Sequence, residues 1–392
     1  MQQTVGTANF GQASVTSASR KELFLAGVWV QLIFVSIIGI YWFCYRLFVR
    51  SNPNVINTDA LELLASFMLY SVPILIFCQL LMSFWHMILY VRPKRPTIWL
   101  YKDMAAHFSD PRRLALGMPM VLLLNLFMDI FTDIKKNIPN LIPFSWDPTF
   151  MEWDRFLHFG KHPWEWLQPV LGYWPITFIV NFSYNFWFLT MWMLWMYFAF
   201  TTCTSVLRTR FFLSFILTWA IGGGLMAVAF SSAGPCYYSL IGLSPDPYAP
   251  LMSYLHKVND TIPLMAIGVQ DALWYSYQTK AMLGGITAMP SMHNAASLLF
   301  ALAGWQISRR LGIILSIHCF AVYIGSIHLG WHYAIDAYLG WAVVGWILIA
   351  DDAAPGGARV EPVFLAAGRA WTPGQYRAVY GQQLTVNVVR VS

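Results

Sequence analysis

Charge is what this sequence has least of. Only 11% of its 392 residues are Asp, Glu, Lys or Arg, less than half the roughly 25% that a soluble globular domain carries. With 58% hydrophobic residues, that shortage excludes a water-soluble fold of one or two domains. A basic arm or face is also missing. The net charge of +6 is spread over short gaps between apolar runs, which reads as membrane orientation signal and excludes a nucleic-acid partner. Cysteine is scarce too: Cys44, Cys78, Cys203 and Cys319 fall inside apolar runs, leaving Cys236 as the one loop cysteine of five, without a loop partner for a disulfide. There is no internal repeat, no low-complexity segment and no cofactor-binding box, so no cofactor is expected. The first apolar run follows Arg20 and Lys21. At about 27 residues it exceeds a signal-peptide core and no small-residue cleavage pattern follows, so it is expected to stay as a span.

What is present is a series of runs near the roughly 20 residues needed to cross a hydrocarbon core of about 30 Å. They fall at 22–48, 61–91, 114–133, 173–203, 211–230, 293–308, 311–329 and 333–350. The fold class expected is therefore all-α, a polytopic integral membrane bundle of about eight transmembrane helices embedded in the bilayer. We divide it into a cytoplasmic segment 1–21, N-terminal spans and loop 22–172, a catalytic bundle 173–350 and a cytoplasmic tail 351–392. Alternating the loops puts sixteen Lys and Arg on one side and eight on the other, so the richer side, with both termini, is expected in the cytoplasm. Two long loops, 134–172 and 231–292, then face outward. Their Trp, Tyr, Pro and His content argues against disorder and for loop caps at the outer interface. Nothing in the sequence specifies an oligomeric state.

The chemistry concentrates in two places. Pro290-Ser291-Met292-His293 enters one span; the chain turns at Arg309-Arg310 and returns to His328-Leu329-Gly330-Trp331-His332-Tyr333-Ala334-Ile335-Asp336. Topology alone brings His293 and His332 to the same membrane face. Asp336 follows His332 by four residues, one helical turn, so its carboxylate can fix the imidazole tautomer and free the other nitrogen for attack. A carboxylate just inside an apolar run is costly and calls for a function with a named partner. His293 then suits a general acid and base. Ser291 and the free N–H groups of the helix after Pro290 suit an anion. Together these residues describe phosphoryl transfer through a phosphohistidine.

These motifs resemble the type 2 phosphatidic acid phosphatase (PAP2) superfamily. Its Pro-Ser-x-His is matched by residues 290–293 and its His-x-x-x-Asp by His332 and Asp336. The resemblance implies a nucleophilic His332, a supporting Asp336 and an acid in His293. Within the superfamily the chain is most similar to the inositol phosphorylceramide synthases, since Gly234-Pro235-Cys236-Tyr237-Tyr238 resembles their Pro-Pro-Trp-Tyr segment. Two features depart from the pattern. Gly325 and Ser326 stand where the phosphatases carry Ser-Arg, a difference that favours transferase over phosphatase. The Lys-x6-Arg-Pro motif is missing, and Arg92-Pro93 and Arg95-Pro96 are read as cytoplasmic orientation charges.

A phosphate still needs cations. Lys135, Lys136, Arg155, Lys161, Lys257 and Lys280 are expected on the outer face, and Arg155 and Lys280 are the leading candidates to bind substrate, with Asp154 as the alternative partner of Arg155. His328, His332 and Asp336 stand at i, i+4 and i+8, but Gly330 interrupts that face and no metal is expected. His86 and His318 are expected to pack or bond between spans, and Gly222-Gly223-Gly224 to allow close helix approach. The expected function is a membrane lipid phosphotransferase, inositolphosphotransferase-like, or a phosphatase using water, acting on a phospholipid or lipid phosphate. A lipid transporter or an inactive scaffold is the alternative of another class.

Overall fold

The computed structural model describes residues 20–51, 67–200, 206–279 and 285–353, and among these helix is the regular structure throughout, without strands. A chain in hydrocarbon must satisfy its backbone groups internally, and the helix does so within each segment. In chain order the helices are α1 (Arg20–Ser51), α2 (67–91), α3 (Pro96–Ser109), α4 (Pro111–Leu141), α5 (Asp147–Leu157), α6 (Pro163–Leu171), α7 (Trp174–Ala199), α8 (206–229), α9 (Ala249–Thr261), α10 (Met265–Thr279), α11 (Met292–Ile307), α12 (Arg309–His328) and α13 (Ala334–Ala353).

Five segments are long and apolar enough to cross a membrane: Leu69–Val91, Arg113–Leu141, Val206–Ala229, Arg309–His328 and Ala334–Asp351. The other three expected spans are helices as well. Helix α1 is 32 residues long and includes the apolar stretch Gln31–Leu47. In α7, 26 residues long, buried Asn181, Tyr184 and Thr190 interrupt the apolar face. Helix α11 has 16 residues, about 24 Å at 1.5 Å per residue.

Two expectations are corrected. The long outer loops are helical caps instead of loops: α5 and α6 form most of the first, α9 and α10 most of the second. The third span does not stop at its charges, because α4 runs on to Leu141. Its first carboxylate there is already satisfied, since Asp133 accepts from Tyr45 Oη and pairs with Lys136, both at 3.4 Å. That extension carries Lys135 to the end of the bundle where α11 begins.

The core sits between α7, α8, α11 and α12 and is filled with rings, among them Trp187, Trp195, Phe211, Phe215 and Phe300. Arg208 is fully buried in it. It donates from Nε to Phe198 O at 2.9 Å, near the C-terminus of α7, and from Nη2 to Leu116 O of α4 at 3.0 Å, so one cation joins the two helices. Histidines inside the bundle also bond between helices: His318 Nε2 lies 3.4 Å from Thr190 Oγ1, while His86 stacks on Trp99. Small residues set the approach to α11. A Cβ on Gly340 would stand 2.8 Å from Ser291 O, and one on Gly223 would stand 2.6 Å from Phe131 and 3.1 Å from Met292.

Gly340 therefore measures how closely α13 must approach α11. Gly340→Val should destabilise by about 1–3 kcal/mol through overpacking, read as a lower thermal midpoint in detergent, with Gly340→Ala intermediate. A midpoint equal to wild type in both variants would show that this contact is not tight.

Candidate active site

The residues between α12 and α13 fold as an irregular loop because Gly330 takes a left-handed φ of +75°. A Cβ there would also press on Met252 Sδ at 3.0 Å. The loop is held from inside: Trp331 N–H and His332 N–H both donate to Ser326 O at 3.0 Å, and Gly330 O accepts from Cys236 N–H at 2.9 Å. His332 emerges from it next to the first turn of α13.

Asp336 Oδ2 lies 3.0 Å from His332 Nδ1 and accepts the Tyr333 N–H at 3.1 Å. A backbone N–H can only donate, so this oxygen serves as an acceptor and the ring proton belongs on Nδ1. Nε2 is left with the lone pair. Burial pushes the His332 ring down to about 3, and the charge of Lys135 acts in the same direction, against a hydrogen bond of the ring to the Ala288 backbone. Burial thus favours the neutral imidazole.

His293 is the second residue of α11, and its ring sits in an aromatic box provided by one face of α7. The centroids of Tyr184, Trp187 and Phe188 lie 5.1, 4.3 and 5.7 Å away. Those three residues follow helical i, i+3, i+4 spacing, which is why one helix supplies all of them. His293 lies within electrostatic reach of both His332 and Lys135. The two motifs are bolted together, since Ser291 N–H donates to Asp336 O at 3.0 Å. Ser291 itself caps α11 and accepts from Asn294 Nδ2 at 3.0 Å. Asn294 also donates to Ser326 Oγ at 3.1 Å. Ser326, at the position where the resembling phosphatases carry Arg, is fully buried and cross-links the motifs.

The helix termini differ in what they offer an anion. Among the described residues, α11 has its N–H groups of Asn294 and Ala295 bonded to Ser291, leaving those of Met292 and His293 free. The first turn of α13 is fully occupied: Ala334 N–H and Ile335 N–H donate to Asp154 at 2.8 and 3.0 Å, and Asp336 N–H to Tyr333 O. Only α11 presents a vacant cradle of donors beside the histidines.

The expected cations separate. Arg155 is half-exposed on α5 and pairs with Glu152 at 3.3 Å; it does not join the histidines, and its alternative partner Asp154 is committed to α13. Lys280 lies outside the described residues. The cation whose field reaches both histidines is Lys135. Arg92 and Arg95 flank the start of α3, at the end of the bundle away from the site. His328 turns to Thr177 Oγ1 at 2.9 Å.

Sequence reasoning missed two residues of α5. Asp147 accepts Ala233 N–H, Gly234 N–H and Tyr333 Oη, each at 2.8 Å. Together with Asp154 it ties α5 to both sides of the loop that carries His332. The available signal was their spacing: Asp147 and Asp154 stand at i and i+7 with Phe150 between them, one buried helix face carrying acids where solvent-facing acids are the rule.

Residues 148–350, just over half of the chain, match the family model described as the PAP2 superfamily. The match takes in α5 as well as the two motifs. No curated protein and no solved structure matches the chain.

Burial lifts the Asp154 carboxyl from its ordinary value to about 7, against the pull of its two N–H donors. A pKa higher in the folded than in the unfolded chain means that folding takes up a proton between the two values. That stabilisation is complete below the unfolded pKa of about 4 and is lost as pH rises through about 7. Asp154→Asn, which cannot ionise, should flatten the fall in thermal midpoint between pH 5 and pH 8 (about the window between those values). Thermal unfolding in detergent over a pH series reads it directly; a slope unchanged from wild type would remove Asp154 as its source.

Proposed function

The chain belongs to the PAP2 superfamily, whose membership points to phosphatase or phosphotransferase activity on lipid phosphates, and on that premise we propose that it is a membrane lipid phosphotransferase working through a phosphohistidine on His332. The observation that carries this reading is the Asp336 Oδ2 to His332 Nδ1 contact of 3.0 Å, which leaves a neutral nucleophilic nitrogen beside His293 and the open N-terminus of α11.

In the first step His332 Nε2 attacks phosphorus, an N–P bond forms and the P–O bond to the lipid alcohol breaks. The proton on His293 passes to the departing alkoxide. Arrival of a phosphate anion favours the protonated form of His293 by direct electrostatic attraction. In the second step an acceptor hydroxyl gives its proton to His293 and attacks phosphorus, and the N–P bond breaks. Asp336 balances the positive charge that develops on the His332 ring. The N–H groups of Met292 and His293, with Lys135, hold the non-bridging oxygens. An inositol-type headgroup transfer is supported by the Gly234-Pro235-Cys236-Tyr237-Tyr238 run and by Ser326 in place of an arginine. The positive-charge count supports a site on the extracytoplasmic side.

His332→Ala should lower turnover of lipid phosphates by at least about 10³-fold, and Asp336→Asn by about 10²–10⁴-fold. A base-stable, acid-labile phosphoenzyme should form in wild type and vanish in His332→Ala; turnover unchanged in that variant would sink the mechanism. Release of inorganic phosphate without a labelled lipid acceptor product would mark the enzyme as a phosphatase.

Lys135→Met should raise KM for the lipid phosphate by about 10–100-fold, the worth of a charged hydrogen bond, with partial recovery in Lys135→Arg. Kinetics in mixed micelles at constant lipid mole fraction separate KM from kcat. An unaltered KM would return the phosphate to another cation.

A further inference from the structure

Helix α5 has two faces with different commitments. Asp147, Phe150 and Asp154 are buried against the catalytic loop and α13. The other side carries Trp153, Phe156 and Leu157, all exposed, and the chain after it puts Phe159 out at 91% exposure with φ +60°. A bulky residue in the left-handed region is uncommon and strained, and here no described residue covers the ring it displays. Trp166, also exposed, follows on α6 with Lys161 Nζ 4.8 Å from its ring centroid.

The height of this surface is fixed by its bonds. Asp154 holds the first two residues of α13, a candidate span. His158 Nε2 lies 3.0 Å from Tyr338 Oη, and Tyr338 Oη lies 2.9 Å from Tyr323 Oη. Tyr338 and Tyr323 each stand about one turn inside the site end of α13 and α12, the depth at which tyrosines gather at a membrane interface. Below them α12 shows Ile313, Ile317 and Phe320 outward at helical spacing. That exposed apolar stripe leads toward the two tyrosines, which connect it to His158 and the exposed rings of α5.

We propose that the exposed face of α5 and the Phe159 corner seat in the lipid leaflet on the site's side of the membrane, at the boundary between headgroups and acyl chains. The occupant is the bilayer itself: rings below, with Lys161 and Trp166 at headgroup height. The same short helix then touches lipid on one side and holds the catalytic loop through Asp147 and Asp154 on the other. The chemistry of the face fits that partner, since apolar rings bordered by a cation and amphipathic rings are what an interfacial helix presents.

The test places a nitroxide at position 159 (Phe159→Cys, with Cys44→Ser and Cys203→Ser) in phosphatidylcholine–phosphatidylglycerol vesicles. Relaxation by oxygen should exceed relaxation by a water-soluble nickel chelate, the mark of a label below the headgroups. Relaxation dominated by the chelate overturns the proposal, and so does spin–spin broadening that scales with protein density, which would show a second copy of the chain on this face. A second arm compares wild type with the Phe156→Ser, Phe159→Ser double variant. Turnover of a long-chain lipid phosphate in vesicles should fall about tenfold, as expected when two rings lose an apolar site, while turnover of a water-soluble phosphate monoester stays unchanged. Equal loss on both substrates would overturn the link between lipid contact and the site. This arm rests on the proposed phosphotransfer, and absence of turnover by wild type on either substrate would count against that reading; the depth measurement is independent of it.

Discussion

Buried carboxylates that accept backbone N–H groups are the constraint on which the rest of this structure depends. The loop carrying His332 has no ladder of its own and is pinned by Asp147 from one side, Asp154 from the other and Asp336 from within. Each ion would be costly in an apolar bundle if it stood alone. Convergent donors offset part of that cost at Asp147 and Asp154: three to Asp147 and two to Asp154. Irregular backbone at this depth is tolerated because its polar groups are satisfied within the protein.

The three carboxylates are not equivalent. Both oxygens of Asp147 and of Asp154 are engaged, whereas Asp336 Oδ1 has no partner among the described residues. Its Oδ2 alone serves both the loop, through Tyr333 N–H, and the His332 ring. One residue therefore shapes the loop and orients the His332 ring, which couples local folding to tautomer. The capacity left on Oδ1 distinguishes a carboxylate that responds to charge developing on the ring from two that only hold backbone.

How much of this was legible in the sequence differs from residue to residue. His293, His332 and Asp336 could be placed together because a helical hairpin returns the chain to the face it left, and because four residues make one turn. Lys135 was counted among the cations but not placed, since a cluster of charges reads as the end of a span. The helix continues there because Asp133 is paired with Lys136 and bonded to Tyr45, a tertiary fact that no local pattern carries. Arg155 was favoured over its neighbour for its charge; which of two adjacent residues on α5 faces inward depends on α13, about 180 residues further on. The span pattern carries a comparable tertiary imprint. Buried polar residues in α7 and the brevity of α11 are consequences of proximity to the site: Thr177 answers His328, Tyr184 stacks on His293, and α11 begins only where its donors must stay free.

The scarcity of charge follows from the same economy. The phosphate chemistry proposed for His332 needs positive potential, yet the protein brings three buried acids close to that ring. Two of them, Asp147 and Asp154, accept donated N–H dipoles on both oxygens. What reaches the histidines is the Lys135 ammonium and the positive end of α11, while Asp336 acts through contact with the ring. Low dielectric magnifies these few sources, so a single lysine and one open helix end supply attraction that a solvent-exposed site would need several guanidinium groups to match. An arginine at position 326 would have to displace the Ser326–Asn294–Ser291 link that sets the distance between the two motifs. With the serine there, the link is kept and the N–H groups of Met292 and His293 stay open beside the histidines.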